Sequence, residues 1–164
     1  PLSTLEEAAP LDITIDGADE FDPNFQLIKG GGGALTREKR VAEKSAAMVV
    51  VADDRKQVNT LGEFHLPLEV RKDDWYTVAA KLREICPGQV SIRGGESPYV
   101  TDNEGYILDC DFGPTISDPS LLEGHIKSID GVVEVGLFVG MCDAVVMASN
   151  SGVTTLLKQG GRLD

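Results

Sequence analysis

Apolar positions along the chain alternate between short runs of strand length and stretches at helical spacing. LDITID (11–16) is a short apolar run ending in aspartate, which predicts a buried strand followed by a turn. DPN (22–24) signals a turn, and FQLIK (25–29) has the length of a short strand. KGGGG then interrupts regular structure. From Ala34 to about Ala46 the pattern is helical, with Leu35, Val41 and Ala42 on one face. AAMVVVAD (46–53) is the most strand-like segment and runs into Asp53-Asp54. A strand, loop, helix and strand of these lengths build a parallel crossover unit.

The middle of the chain has another rhythm. FHLPLEV (64–70) predicts a strand, residues 74–86 a helix with Val78, Leu82 and Ile85 inward, and QVSIR (89–93) a strand. PYVTDNEGYILDCDF (98–112) holds a turn at Asp102–Gly105 and at least one strand. Asp118-Pro119 is a helix start, with aspartate as N-cap and proline at the first helical position. Leu122, Ile126 and Ile129 continue at helical spacing, and VVEVGLFV (132–139) closes the series. The order β-α-β-β-α-β is that of a ferredoxin-like split unit. DAVVMAS (143–149) is a further strand, and NSGVTTLLK predicts a turn and a helix after it. If this tail rejoins the first sheet, the middle unit is an insertion.

Bulk properties narrow the function. The 164 residues suffice for one domain or for two small ones sharing a boundary. The net charge of −12 comes without a basic stripe, which argues against a nucleic-acid surface. An anionic small molecule stays compatible, because local positive charge is available from Lys29, Arg37, Lys39, Arg40 and Lys56. No apolar run approaches the ~18 residues that cross a bilayer. PLSTLEEAAP has neither the basic nor the apolar region of a signal peptide, and it lacks an initiator methionine, so a fragment or processed product is expected. Cys86, Cys110 and Cys142 have no CxxC spacing and are read as reduced, mostly buried thiols of a cytosol-like compartment.

Candidate chemistry gathers in DGADEFDPNFQLIKGGGGALTREK (16–39). Asp16 and Asp19 follow one parallel-type strand, and Asp53, Asp54 and Lys56 follow another; ligands of open α/β sheets bind beyond such strand ends. Aspartates there also simply cap turns. Gly30–Gly33 ahead of a helix suit an anion or a developing oxyanion, or form a flexible connector. Lys29 precedes the glycines, so this is no P-loop, and Leu35 stands where a dinucleotide fingerprint needs its third glycine. Glu38 shares a helical face with Leu35 and Val41, which points to a half-buried base; the alternative is a carboxylate favoured by the helix N-terminus. DGADE is similar to acidic Mg²⁺ motifs, although an adjacent lysine competes for the same carboxylates. His65 and His125 have no metal-ligand spacing.

DGADE, KGGGGALTREK and ADDRKQV, continued by LPLEV, VTDNEGYILD, DP…L and GVVEVGLF, closely resemble the type A ribose-5-phosphate isomerase family. The resemblance implies a Rossmann-like parallel-sheet domain (1–61 plus 140–164) with an inserted ferredoxin-like α+β domain (62–139). It implies a cytoplasmic, cofactor-free aldose–ketose isomerase acting on ribose 5-phosphate and ribulose 5-phosphate, and a homodimer or homotetramer. Glu38 falls on the family's catalytic base. Asp16, Gly17, Ala18, Asp19, Lys29, Gly30, Gly31, Gly32 and Lys56 fall on its substrate-contacting positions, with Lys29, Asp16 and Asp19 also expected to assist catalysis. No metal, nucleic acid or membrane is implied. Family members carry a glycine-threonine-serine loop several dozen residues ahead of DGADE. Only fifteen residues precede Asp16 here, so the first strand–loop–helix units are expected to be missing. Two alternatives stand beside the isomerase. One is a non-catalytic sugar-phosphate-binding domain of the same fold, which would exchange no proton at C2 in D₂O. The other is a Mg²⁺-dependent phosphotransferase, which EDTA would silence.

Overall fold

The computed structural model describes residues 2–163. In chain order the elements are α1 (Leu5–Ala8), β1 (Leu11–Asp16), β2 (Glu20–Phe21), β3 (Leu27–Ile28), α2 (Leu35–Glu43) and β4 (Ser45–Asp53). A single 3₁₀ turn at Asp54–Lys56 leads to β5 (Leu66–Val70), α3 (Trp75–Leu82), β6 (Val90–Ile92), β7 (Tyr106–Cys110), α4 (Pro119–Lys127), β8 (Val132–Val135), β9 (Leu137–Phe138), β10 (Ala144–Ser149) and β11 (Gly152–Leu157).

Three sheets result among the described residues. The first runs β1-β4-β10-β11; β1, β4 and β10 are parallel, so β1–α2–β4 is a parallel crossover unit of the kind found in Rossmann-like sheets. The second, β6-β7-β5-β8, is wholly antiparallel. Its connections β5-α3-β6-β7-α4-β8 are those of a ferredoxin-like unit, inserted between the adjacent strands β4 and β10. A small antiparallel sheet, β2-β3-β9, lies at the junction. One apolar core joins α3, α4 and the second sheet, and another gathers Phe21, Leu27, Met48, Val50, Phe138 and Val145 under the first. Among the described residues, no helix is long and apolar enough to cross a membrane. All three cysteines are free and buried.

Four details depart from the sequence-based expectation, three of them in strands. NSGVTTLLK forms no helix. Its Gly152, at φ 125°, ends a turn in which the Ser151 amide donates to Ser149 Oγ, and β11 then folds back antiparallel on β10. The β-branched Val153, Thr154 and Thr155 suit that pairing. β1 is not buried: it is an edge strand, with Ile13 and Ile15 44% and 66% exposed. VVEVGLFV is two strands, because at Gly136 the chain passes from the second sheet to the junction sheet. Gly136 donates its N–H to the Pro67 carbonyl and accepts from the Lys29 amide, and a Cβ there would lie 2.4 Å from the Lys29 carbonyl oxygen.

Helix α2 is turned differently from the expected 35/38/41 face. Its buried residues are Leu35, Thr36, Lys39 and Ala42, which leaves Glu38 and Val41 half-buried on the flank. Two polar groups can occupy the buried stripe because each is satisfied. Lys39 is fully buried, with Nζ 2.7 Å from both Glu123 and Glu134 and 2.6 Å from the Val135 carbonyl. Thr36 donates to the buried Glu69, whose carboxylate also accepts from Thr101 and Asn103. Burial works against the charge of Glu134, but the Lys39 ammonium outweighs it and holds that carboxyl below its ordinary range.

Two outcomes are expected. Gly136→Ala forces a methyl onto backbone that cannot yield, and should cost about 1–3 kcal/mol by urea denaturation. Glu134 has a folded pKa below its unfolded value, so its contribution to stability is present above the ordinary glutamate value and lost as pH falls through the folded one. The stability gap between the parent protein and Glu134→Gln should therefore narrow as urea midpoints are followed from about pH 7 to about pH 3.

Candidate active site

The site begins where β1 ends. Asp16 is the last residue of that strand, and its Oδ1 accepts the next amide, that of Gly17, at 2.8 Å. Lys29 follows β3 directly and is 3% exposed. Its Nζ donates to the Gly17 carbonyl at 2.6 Å and lies 3.1 Å from Asp16 Oδ2 and 3.2 Å from Glu38 Oε2. The same ammonium sits 5.3 Å from the centre of the Phe138 ring. A buried lysine is costly unless paired, and here two carboxylates and a carbonyl surround it. The carboxylates are less enclosed than the cation, with side chains 30% and 29% exposed for Asp16 and Glu38. Glu38 Oε2 is shielded from solvent and makes no aligned hydrogen bond, so its 3.2 Å approach to Lys29 is a contact of charges.

Asp19 braces the glycine loop. Its amide donates to the Ile28 carbonyl, and its Oδ2 accepts the Gly31 amide at 2.7 Å. A Cβ on Gly31 would lie 2.6 Å from Asp19 Oδ1, so only glycine permits that approach. Gly30 and Gly33 have φ of 113° and 85°, and the Gly33 amide closes a turn onto the Gly30 carbonyl. The four glycines therefore do not offer four free donors. Gly31 and Gly33 are committed, and among the described residues the Gly30 and Gly32 amides make no hydrogen bond within the chain. Helix α2 opens immediately afterwards at Ala34, which provides no side-chain cap, so its first-turn amides face outward without a side-chain cap partner.

Other expected residues are distributed unevenly. Ala18 packs on the core beneath the first sheet, and Gly17 is exposed. Lys56 ends the 3₁₀ turn after β4; with Asp19, Glu20, Arg55, Val58, Glu63 and Phe64 it lines an open cleft of about 410 Å³. Asp53 caps that turn and pairs with Arg55 instead of facing the cleft. Lys39, counted among the local positive charges, contributes none to the site because Glu123 and Glu134 neutralise it. Arg37 is exposed and 3.6 Å from Asp102.

Two participants were not foreseen. Glu20, in the DGADE motif, is buried and accepts the Gly62 and Phe64 amides, which holds the loop carrying Phe64 against the cleft; burial pushes its carboxyl up despite these two bonds. Arg93, from the end of β6, donates to the carbonyls of Gly30 and Gly31 at 3.0 and 3.1 Å. In sequence Arg93 only ends a predicted strand, and nothing local ties it to glycines some sixty positions earlier.

Fold and site together define a mixed α/β protein with a buried ammonium, two carboxylates and a glycine loop at the carboxyl end of a parallel sheet. The sequence profile of Ribose 5-phosphate isomerase A (phosphoriboisomerase A) matches residues 1–152, and the chain belongs to that family. It is 45% identical to "Ribose-5-phosphate isomerase A" of Parvibaculum lavamentivorans over 159 residues, covering 93% of this chain and 68% of the relative. The crystal structure of ribose 5 phosphate isomerase A from Neisseria gonorrhoeae superimposes with a TM-score of 0.89 at 36% identity, over 96% of this chain and 69% of that one. A D-ribose-5-phosphate isomerase solved in complex with phospho-erythronic acid gives 0.90 at 36% identity, with the same coverage.

The glycine positions can be told apart experimentally. Gly31→Ala should displace Asp19 and lower stability by about 1–3 kcal/mol. Gly32→Ala meets no atom within 4 Å and should stay within about 0.5 kcal/mol of the parent. Chemical denaturation of the two variants measures the contrast.

Proposed function

We propose that this protein is an aldose–ketose isomerase that interconverts ribose 5-phosphate and ribulose 5-phosphate through an enediolate, in the non-oxidative pentose phosphate pathway. The observation that carries the reading is the contact of the Lys29 ammonium with both Glu38 and Asp16, beside the glycine loop. Family membership and a relative solved with phospho-erythronic acid, a phosphorylated sugar acid, support the substrate class.

The chemistry follows from the groups present. Converting the aldose to the ketose removes the proton at C2, leaves an enediolate, and delivers a proton to C1. The carbon-bound proton passes by way of the base from C2 to C1, a hydroxyl proton moves from O2 to O1, and the electron pair never leaves the substrate, so no redox cofactor is required. Glu38 takes the proton and returns it. Lys29 and the unbonded glycine amides stabilise the negative oxygen. Asp16 and Asp19 hold sugar hydroxyls and assist ring opening, since the closed sugar has no carbonyl to enolise. Gly30 and Gly32 supply backbone amides, and Gly17, Ala18 and Gly31 shape the turn and loop that border the substrate. Lys56, across the cleft lined by Asp19, binds a hydroxyl or the phosphate. The protein works in the cytoplasm as a homodimer or homotetramer. Its catalytic unit comprises residues 1–61 and 140–164, and residues 62–139 form the inserted one.

A positioned base contributes about 10²–10⁴-fold. Glu38→Gln should therefore lower kcat at least about a hundredfold with KM nearly unchanged, and abolish deuterium uptake at C2 in D₂O. Turnover close to the parent's would remove Glu38 from the base role.

A further inference from the structure

We propose that Arg93 is a positioning residue for this reaction: from the antiparallel sheet it holds two successive carbonyls of the glycine loop and so aims the Gly32 amide into the site. The proposal rests on the isomerase reading and adds a residue outside the catalytic cluster.

The argument is one of peptide geometry. A single nitrogen, Arg93 Nη1, donates to Gly30 O at 3.0 Å and to Gly31 O at 3.1 Å. Each of these carbonyls belongs to a planar trans peptide whose N–H, that of the following residue, points the opposite way. Carbonyls that converge on one donor therefore turn the Gly31 and Gly32 amides to the far side of the loop. The Gly31 amide shows where that side is, because it donates to Asp19 Oδ2 at 2.7 Å. The Gly32 amide is turned the same way and, among the described residues, makes no bond. Successive amides facing one side form an anion-favouring concavity. A cationic donor on the carbonyl also polarises the peptide, which strengthens its N–H as a donor.

Arg93 is itself held firmly. Its Nε and Nη2 bond Asp109 at 2.9 and 2.5 Å in a two-point pair, and the side chains are 20% and 22% exposed. Both residues stand on the sheet: Asp109 lies within β7, and the Arg93 amide continues the ladder onto Ile107. Asp109 cancels the net charge of Arg93, so the contribution to the site is orientation and not an added cation. The Tyr99 amide donates to the Arg93 carbonyl, and the Tyr99 ring packs where a Cβ on Gly33 would lie, 2.6 Å from its hydroxyl oxygen. The 93–99 turn thus grips the loop at Gly30, Gly31 and Gly33.

The test combines kinetics with amide exchange. Arg93→Met should lower kcat about tenfold to a hundredfold while KM changes less than about threefold, as expected when a donor made useful in the transition state is misaimed. Exchange of the Gly31 and Gly33 amides should quicken in the same variant. Arg93→Lys should keep part of the activity, and added guanidinium should partly restore Arg93→Ala. A variant with a lowered melting temperature but parental kcat below its transition, or with a change in KM alone, would overturn the proposal. Unchanged loop exchange in Arg93→Met would overturn it whether or not the parent isomerises. A parent without isomerase activity would overturn the reaction reading alone.

Discussion

The site depends on one buried charge. Lys29 is almost wholly withdrawn from solvent, and its ammonium is tolerable only because Asp16, Glu38 and the Gly17 carbonyl surround it. This requirement fixes the relation of four elements. The end of β1 must present Asp16, the exit of β3 must present Lys29, the first turn of α2 must present Glu38, and the 16–19 turn must offer a carbonyl. Removing any partner leaves charge stranded in a poorly solvated place, so the geometry of the candidate site and local stability are coupled.

A second lysine does structural work against the same aromatic ring. Lys29 and Lys39 lie 5.3 and 5.1 Å from the centre of the same Phe138 ring, yet they serve different ends. Lys29 faces the carboxylates of the site. Lys39 binds Glu123 on α4 and Glu134 on β8, and so fastens α2 to the antiparallel unit. Adjacent helical residues point about 100° apart, so Glu38 can border the site while Lys39 enters the packed face. The helix that carries Glu38 is thereby oriented by residues nearly a hundred positions further along the chain.

The antiparallel unit reaches the site by several routes, all rigid. Gly136 lets β8 continue into the junction sheet and meet the Lys29 backbone. Glu69 holds Thr36 at the start of α2, and Arg93 with Tyr99 holds the glycine loop. Anchors on strands position more precisely than anchors on loops. The inserted unit therefore acts as a jig for a loop that four glycines would otherwise leave loose.

Much was legible in residues read in order. Periodicity located the two strands of the crossover, the ferredoxin-like order and the Asp118 cap, because these depend on neighbours one to four positions away. DGADE, KGGGG and Glu38 were singled out by residue type and spacing, and the fold brings Asp16, Asp19, Lys29 and Glu38 together around the glycine loop. Long-range partners decided the rest. The helical face of α2 was misjudged because Lys39 and Thr36 look exposed until Glu123, Glu134 and Glu69 arrive to satisfy them. The tail became a strand because β10 offered an open edge to pair with. Which glycine amides remain unbonded was set by Asp19 below and Arg93 above, and only folding brings those side chains to the loop. Local order follows from local chemistry, whereas the pairing of buried charges and donors is a property of the packed chain.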